Sequence, residues 1–379
     1  MTGAARATPQ PIFAAEGFAK RFGETEVLKA AAVQARPGRV TVLLGRNGSG
    51  KSTLLRCALG LLRTETGSVL WRGRATLRPR ISRMAPEGLF FVPDRGLAVP
   101  PQRVGPHFDS LRAAYPGVRK LEDWDPLNVA PFLGARIRQL STGERRRVEL
   151  TLALLRNPAC LIADEPLTGL APNYRSVVTR ALRDAAQGGS AVLITGHEVE
   201  CLMAIADEVV WIVAGGTRVL GPPEQAWAHP EFARQYLGRR RPLANPWGGS
   251  EPGLPGRESD RGEEGDGQGE AGRRVSGWVA RAGRVWLPLA GSAAAVWFAV
   301  RVSVAMVGAA AGVSSSFEMR SSLPLVALCV LLTGIDHRRR GAARWFDNLG
   351  MGRGARVLIW GLTCLALEFL ATAAAALLP

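Results

Sequence analysis

Val40-Thr-Val-Leu-Leu-Gly45-Arg46-Asn47-Gly48-Ser49-Gly50-Lys51-Ser52-Thr53-Leu-Leu is the stretch that decides the fold. Val40 to Leu44 is an almost unbroken apolar run, which reads as a strand buried on both faces. The pattern G-x-x-x-x-G-K-[ST] follows it directly, and a helical pattern runs from Ser52 to Leu62. Gly45, Gly48 and Gly50 let the backbone curl until its N–H groups face phosphate oxygens, with the positive end of the helix behind them. In such a loop Lys51 should reach the β- and γ-phosphates and Ser52 should ligate magnesium, while Arg46, Asn47, Ser49 and Thr53 complete the nucleotide-binding segment. A glycine-rich turn that fits the pattern by chance is the competing reading; the flanking strand and helix weigh against it.

Outward from this loop, from Ile12 to about Leu237, short β-branched runs alternate with helical patterns and glycine turns. That is the signature of a parallel α/β sheet with crossover helices. The clearest strands are Val40 to Leu44, Leu89 to Val92, Cys160 to Ala163, Ala191 to Thr195 and Val209 to Val213. Between Gly96 and Arg138 the sequence turns irregular and proline-rich, which predicts a smaller helical subdomain inserted into the first domain, residues 12–240. Magnesium prefers oxygen ligands and an attacking water needs orienting, so an acidic partner of the phosphate loop is expected. Cys160-Leu-Ile-Ala-Asp164-Glu165-Pro166 supplies it at a strand end: Asp164 would hold the metal through water and Glu165 would act as general base or position the water. A buried structural carboxylate pair is the alternative.

A third element makes the pattern specific. Leu140-Ser141-Thr142-Gly143-Glu144, with Ser141 placed 23 residues before Asp164, resembles the L-S-G-G-Q/E signature of the ATP-binding-cassette (ABC) ATPases. Alone it would be weak, because Ser-Thr-Gly-Glu also opens many helices as a capping motif. The resemblance covers residues 12–240 and implies a P-loop NTPase of the ABC type that hydrolyses ATP with Mg2+. It further implies that Ser141 and Gly143 close over the nucleotide held by a second ABC subunit, so that dimerisation, as a homodimer or heterodimer, is part of the site. Gly196-His197 ends the strand that starts at Ala191, where these ATPases carry a histidine that contacts the γ-phosphate and links it to Glu165; a structural histidine is the competing reading. Phe22 stands where an aromatic face stacks on adenine, with core packing as its rival.

Three positions depart from the family pattern. Asp94 replaces the glutamine that ends the strand before the helical subdomain; it can still ligate magnesium, but its arm is shorter and charged. Ala171 replaces the aspartate that makes a cross-dimer contact, and Thr142 replaces the second signature glycine. Pro166-Leu-Thr-Gly-Leu-Ala-Pro172, and the run from His229-Pro to Tyr236-Leu-Gly, resemble ATPases of branched-chain amino-acid uptake and lipopolysaccharide export.

Residues 242–276 hold nine glycines, four prolines and seven carboxylates with few large apolar side chains, too little to order a core. They read as a disordered linker to a membrane domain, 277–379, with apolar stretches near 285–305, 322–335 and 357–378. The third is long enough to span a bilayer; the middle one reads as a span, a buried helix or a hairpin within the membrane. His337, Arg338, Arg339, Arg340, Arg344, Arg353 and Arg356 separate the second and third stretches, whereas the loop from Ser314 to Ser321 carries only Arg320. The positive-inside rule puts the arginine segment, and with it the ATPase domain, in the cytoplasm of a multi-pass protein of the cell membrane. Met1 to Pro11 lacks the apolar core of a signal peptide, in keeping with that topology. Arg301 and Glu368 lie in or near apolar stretches, where helix-assembly contacts, snorkelling or a substrate path are the available roles.

The formal charge of +16 rests on arginine, with only four lysines, and argues little for a nucleic-acid surface. Cys57, Cys160, Cys201, Cys329 and Cys364 lack CxxC spacing and each sits in an apolar run, so neither a zinc site nor a disulfide framework is suggested. The function expected is ATP-driven transport by a head-to-tail dimer of ABC domains, with either a separately encoded permease or a homodimer pooling its membrane helices. A membrane-anchored ATPase with a signalling or mechanical role is the alternative, and a soluble DNA-maintenance or translation ATPase is disfavoured by the apolar C-terminal region.

Overall fold

The computed structural model describes residues 9–94, 96–234, 291, 293–300, 319–339 and 342–377. In chain order the strands are β1 Phe13–Phe22, β2 Thr25–Ala35, β3 Val40–Leu44, β4 Thr66–Trp71, β5 Arg74–Thr76, β6 Leu89–Val92, β7 Cys160–Ala163, β8 Ala191–Gly196, β9 Glu208–Val213 and β10 Gly216–Gly221. Six of them form one sheet in the order β10-β9-β3-β8-β7-β6, parallel except for β10 at its edge. The five strands expected from sequence all lie in this sheet, β3 at an interior position.

Their unbroken apolar character has a simple cause. Val40, Val42 and Leu44 enter one core, with Leu150 and Val178 on the helices Thr142–Arg156 and Pro172–Gln187, while Leu43 enters the other, with Leu54 on the helix Lys51–Ala58. Phe90 and Phe91, Leu161 and Ile162, and Val192 and Leu193 divide in the same way, because successive strand residues point to opposite faces.

The second core is closed by a sheet that the sequence reading does not contain: β2-β1-β4-β5, antiparallel throughout. Beyond the fully buried start of β1, Phe13 to Ala15, its strands bury mainly one face, and β1 breaks alternation with register shifts between Ala15 and Phe18 and again before Lys20. A period-two pattern interrupted by bulges does not resemble the continuous runs of the parallel sheet. The phosphate-loop helix is also shorter than its apolar pattern, ending at Ala58 rather than Leu62. Gly60 turns the chain at φ +69°, where a Cβ would lie 1.9 Å from the Pro79 carbonyl oxygen.

The insert after β6 forms the helix Gly105–Ala114 and two short 3-10 turns before the helix Thr142–Arg156. Beyond the ATPase region lie the helices Met319–Arg339, Ala342–Asn348 and Arg353–Leu377. The middle apolar stretch is thus part of one unbroken helix and not a hairpin. Among the described residues one helix is long and apolar enough to cross a membrane, with a mean hydropathy of 1.6 over Arg353–Ala371. The proposed linker, Arg301, Tyr236 and most of the first apolar stretch lie outside the described residues. Glu368 is buried and its Oε2 accepts a hydrogen bond of 2.8 Å from Trp297 Nε1, an assembly contact between helices.

The short helix Ala342–Asn348 does not lie in solvent as an arginine-flanked loop would. Trp345, Phe346, Leu349 and Met351 are buried in the same core as Phe90 and Leu111. Asn348 closes the exposed edge of the parallel sheet: its Oδ1 accepts from the Phe91 N–H at 2.9 Å and its Nδ2 donates to the Phe91 carbonyl at 2.8 Å. Tyr115 of the insert donates its hydroxyl to the Asn348 carbonyl at 2.6 Å. Gly350, at φ +77°, passes where a Cβ would sit 2.6 Å from Pro86 Cγ. Arg356 is likewise no free loop charge: it donates to Asp347 Oδ1 at 2.9 Å and to the Ala343 and Met351 carbonyls, fastening the helix Arg353–Leu377 to the short one.

Candidate active site

The ends of three adjacent parallel strands converge where such folds place their ligands. β3 delivers Gly45, β7 delivers Asp164 and Glu165, and β8 delivers Thr195, Gly196 and His197. The phosphate loop then bends as its glycines require. Gly48 and Gly50 have φ of +80° and +102°, and Gly45 has no room for a side chain, since a Cβ would lie 2.5 Å from Ile212 Cγ2. Lys51 is almost fully buried, and its ammonium folds back on its own loop, donating to the Gly45 carbonyl at 2.8 Å and the Arg46 carbonyl at 3.3 Å. Burial lowers its pKa, while Glu165 and Asp164 pull it the other way.

Asp164 is fully buried, and burial raises its carboxyl pKa, opposed by the nearby hydroxyls of Thr195 and Ser52 and reinforced by the charges of Asp94 and Glu165. Its Oδ1 accepts from Thr195 Oγ1 at 2.6 Å, whereas its Oδ2 is buried without a hydrogen-bond partner. A carboxylate oxygen left unmatched beside a serine hydroxyl and two more carboxylates fits a divalent cation, which would settle the charge that burial disfavours. Ser52, Asp164 and Asp94 are the residues that would hold it, and bound magnesium would neutralise charge developing on the phosphate oxygens.

Glu165 sits at φ 51°, a left-handed backbone that costs a non-glycine residue about 1 kcal/mol or more. Its N–H donates to Thr195 Oγ1 at 2.9 Å and its Oε2 accepts from Thr168 Oγ1 at 3.1 Å, so two threonines hold the turn and the carboxylate. His197 Nδ1 lies 3.6 Å from the same Oε2, with about half of its side chain exposed. Phe22 ends β1 with half its surface exposed and Lys20 Nζ 5.3 Å from its ring centre, which removes core packing as its role.

The signature residues lie elsewhere on the surface. Ser141 caps the helix Thr142–Arg156, with reciprocal bonds to Glu144, so the capping motif is real. Thr142 and Gly143 line a concave surface with Gly169, Ala171 and Tyr174, and no phosphate-loop residue is among its walls. Gly143 has to be glycine, since a Cβ would lie 2.7 Å from the Gly169 carbonyl oxygen. Asp94 joins the carboxylate cluster, but its Oδ1 accepts from Arg56 Nη2 at 3.1 Å.

Thr195 is the residue sequence reading passed over: one hydroxyl donates to the Asp164 carboxylate and accepts from the Glu165 N–H, and its signal was a lone polar residue at the end of a buried apolar strand. Thr195→Val should lower kcat for ATP about tenfold, the cost of two lost hydrogen bonds at the reacting centre, while the melting temperature falls by a few degrees. Phosphate-release assays check it; unaltered kcat would remove Thr195 from the site.

The ABC transporter family model matches residues 28–168. The zinc import ATP-binding protein ZnuC of Halorhodospira halophila is 32% identical over 232 residues, 61% of this chain and 85% of that protein. This chain belongs to the ABC transporter ATP-binding family. It is accordingly an ATP hydrolase, of a family whose ATPase domains work as dimers with membrane partners. The lipopolysaccharide export ATP-binding protein LptB of Haemophilus influenzae is 29% identical, matched over 60% of this chain and 98% of its own length. A nucleotide-free ATP-binding cassette from an ABC transporter shares the fold, with a TM-score of 0.52 at 21% identity over 61% of this chain and 100% of that one. The family model ends at residue 168, well before the C-terminal helices.

Proposed function

We propose that the chain is a membrane-embedded ABC transporter subunit, working as a head-to-tail homodimer in the cell membrane with its ATPase domains in the cytoplasm. The observation that carries this reading is the seat of the helix Ala342–Asn348. It connects the two apolar helices Met319–Arg339 and Arg353–Leu377, and it is wedged between the edge of the ATP-binding sheet and the helical insert. Any rotation of the insert or of the sheet edge reaches the apolar helices through Asn348, Trp345 and the Arg356–Asp347 pair. Because this seat is filled by the chain itself, a second copy fits as partner better than a separately encoded permease docked there.

The chemistry proposed follows from the site. ATP lies with adenine on Phe22 and its phosphates in the loop Gly45–Thr53, Lys51 moving from the loop carbonyls to the phosphate oxygens. Glu165 orients the attacking water and takes its proton, and His197 ties the γ-phosphate to that carboxylate. Ser141, Thr142 and Gly143 of one copy close over the nucleotide of the other; their exposure, away from their own phosphate loop, supports this. ATP closes the pair, and hydrolysis reopens it.

Asn348→Ala tests the coupling. Removing two buried hydrogen bonds at the wedge should leave ATPase activity within about threefold of normal while the flux it drives falls at least tenfold. The measurement compares uptake and efflux of metal ions, amino acids and envelope lipids in cells carrying the native chain, Asn348→Ala or Lys51→Ala. If every flux survives Lys51→Ala while another membrane-linked phenotype is lost, the signalling alternative takes its place.

A further inference from the structure

Arg72-Gly-Arg74-Ala-Thr-Leu77-Arg78-Pro79-Arg80-Ile81-Ser82-Arg83 holds five arginines and no carboxylate. Arginine makes up 44 of the 379 residues, so composition alone would place one or two in such a stretch. Two of the five are engaged: the Arg72 guanidinium lies 5.6 Å from the Trp71 ring centre, and Arg74 pairs with Glu87 at 3.8 Å. Arg78, Arg80 and Arg83 are exposed, and among the described residues no carboxylate lies within ion-pair distance of any of them. The backbone turns them outward. Pro79 is buried against Gly60, and Ile81 and Met84 enter the core that holds Leu54, the Ile81 N–H donating to the Leu59 carbonyl at 3.1 Å. The short helix Ile81–Met84, capped by Arg80, sets Arg80 and Arg83 three residues apart on one side. Leu77, beside Arg78, is 77% exposed, more than any other large apolar side chain among the described residues.

This patch adjoins the start of the apolar helix Arg353–Leu377. Ser82, between Arg80 and Arg83, lies against the two glycines that lead into it: a Cβ on Gly352 would sit 2.9 Å from Ser82 Oγ, and one on Gly350 3.7 Å from the Ser82 carbonyl oxygen. Arg353 opens that helix with its side chain exposed, and Val357 and Leu358 follow with exposed apolar ones. Three arginines of the ATPase domain and one of the helix therefore gather at the place where an apolar helix begins. Cations held together without counter-charge repel one another, and an anionic surface beside them turns that repulsion into attraction. Four to eight such charges at the cytoplasmic end of a membrane helix match the demands of anionic lipid headgroups. A nucleic acid also offers phosphates, but it offers no apolar layer into which Leu77 and the helix can both continue.

We propose that Arg78, Arg80 and Arg83, together with Arg353, form a docking surface of the ATPase domain for the anionic phospholipid headgroups of the cytoplasmic leaflet, with Leu77 entering the headgroup layer. This rests on the membrane placement of the apolar helices in the transporter reading. The bilayer then seats the ATPase itself as well as the helices, and its surface charge sets how firmly.

The test places a fluorophore at position 77, by Leu77→Cys in a Cys201→Ser background, the other four cysteines being buried. The full-length protein is put into nanodiscs of mixed phosphatidylglycerol and phosphatidylcholine, with a spin label on the upper acyl chain of one lipid or of the other. Labelled phosphatidylglycerol should quench the fluorophore at least about threefold more than labelled phosphatidylcholine, and about 1 M salt should remove most of that excess. Arg78→Gln, Arg80→Gln and Arg83→Gln combined should abolish the preference; the three side chains are exposed, so the fold should persist, which thermal unfolding checks. Equal quenching by the two lipids, or a preference that survives the triple variant, overturns the docking surface. A second fluorophore, at Leu362→Cys on the exposed side of the apolar helix, separates this inference from the reading beneath it. If both lipids quench position 362 and neither quenches position 77, the helix is in the bilayer and the docking surface fails; if position 362 is not quenched either, the membrane placement fails with it.

Discussion

Lys51→Ala is expected to abolish ATP hydrolysis, lowering turnover by at least about a thousandfold. The ammonium is carried into a nearly closed position, where its burial is compensated by two loop carbonyls and by the nearby Glu165 and Asp164. A triphosphate offers that charge far better partners, so the lysine exchanges weak contacts for charge-assisted ones, each about twice as strong as a neutral bond. Alanine removes the only ammonium that the sequence places at the loop and leaves the γ-phosphate charge unmatched as the bond to the leaving group breaks. Phosphate release from purified full-length protein measures it, with thermal unfolding as a control for folding. Turnover within tenfold of normal would refute the assignment of the loop.

Glu165→Gln should behave differently: ATP stays bound and hydrolysis falls by about two to three orders of magnitude. Glutamine has the same size, can keep the hydrogen bond from Thr168, and leaves the backbone bond to Thr195 untouched. What disappears is the basic oxygen beside His197 that would receive a proton from water. In the proposed cycle cleavage reopens the pair, so the variant should accumulate as an ATP-bound dimer, seen by light scattering as a doubled protein mass in ATP and the monomer mass without it. A chain that stays monomeric in ATP would end the head-to-tail reading, and normal turnover would move the general base elsewhere.

How far these sites could be read in advance depended on what each residue answers to. Val40 to Leu44, Cys160 to Ala163 and Ala191 to Thr195 announced themselves because two-sided burial leaves no choice but apolar side chains. The phosphate loop was legible because its backbone demands glycine at fixed places. β1 and β2 were not, since one face meets solvent and bulges break the alternation that would have marked them. The wedge was hidden for another reason: Ala342-Ala-Arg-Trp-Phe-Asp-Asn348 sits among arginines and looks like an exposed loop until Phe91, Tyr115 and His107 are brought against it. Thr195 and Arg56 belong to the same class, polar residues whose importance lies entirely in partners distant along the chain.

The attachment of the wedge to its own ATPase has a consequence for assembly. A coupling element made as a separate subunit reaches its seat by collision, and its occupancy falls as the complex is diluted. One carried on the same polypeptide meets its seat at an effective concentration that the tether sets and the cell volume does not. In the proposed transporter, stoichiometry is then decided at translation, one motor for each set of apolar helices, and detergent washing that strips peripheral ATPases from their channels should leave this pair joined.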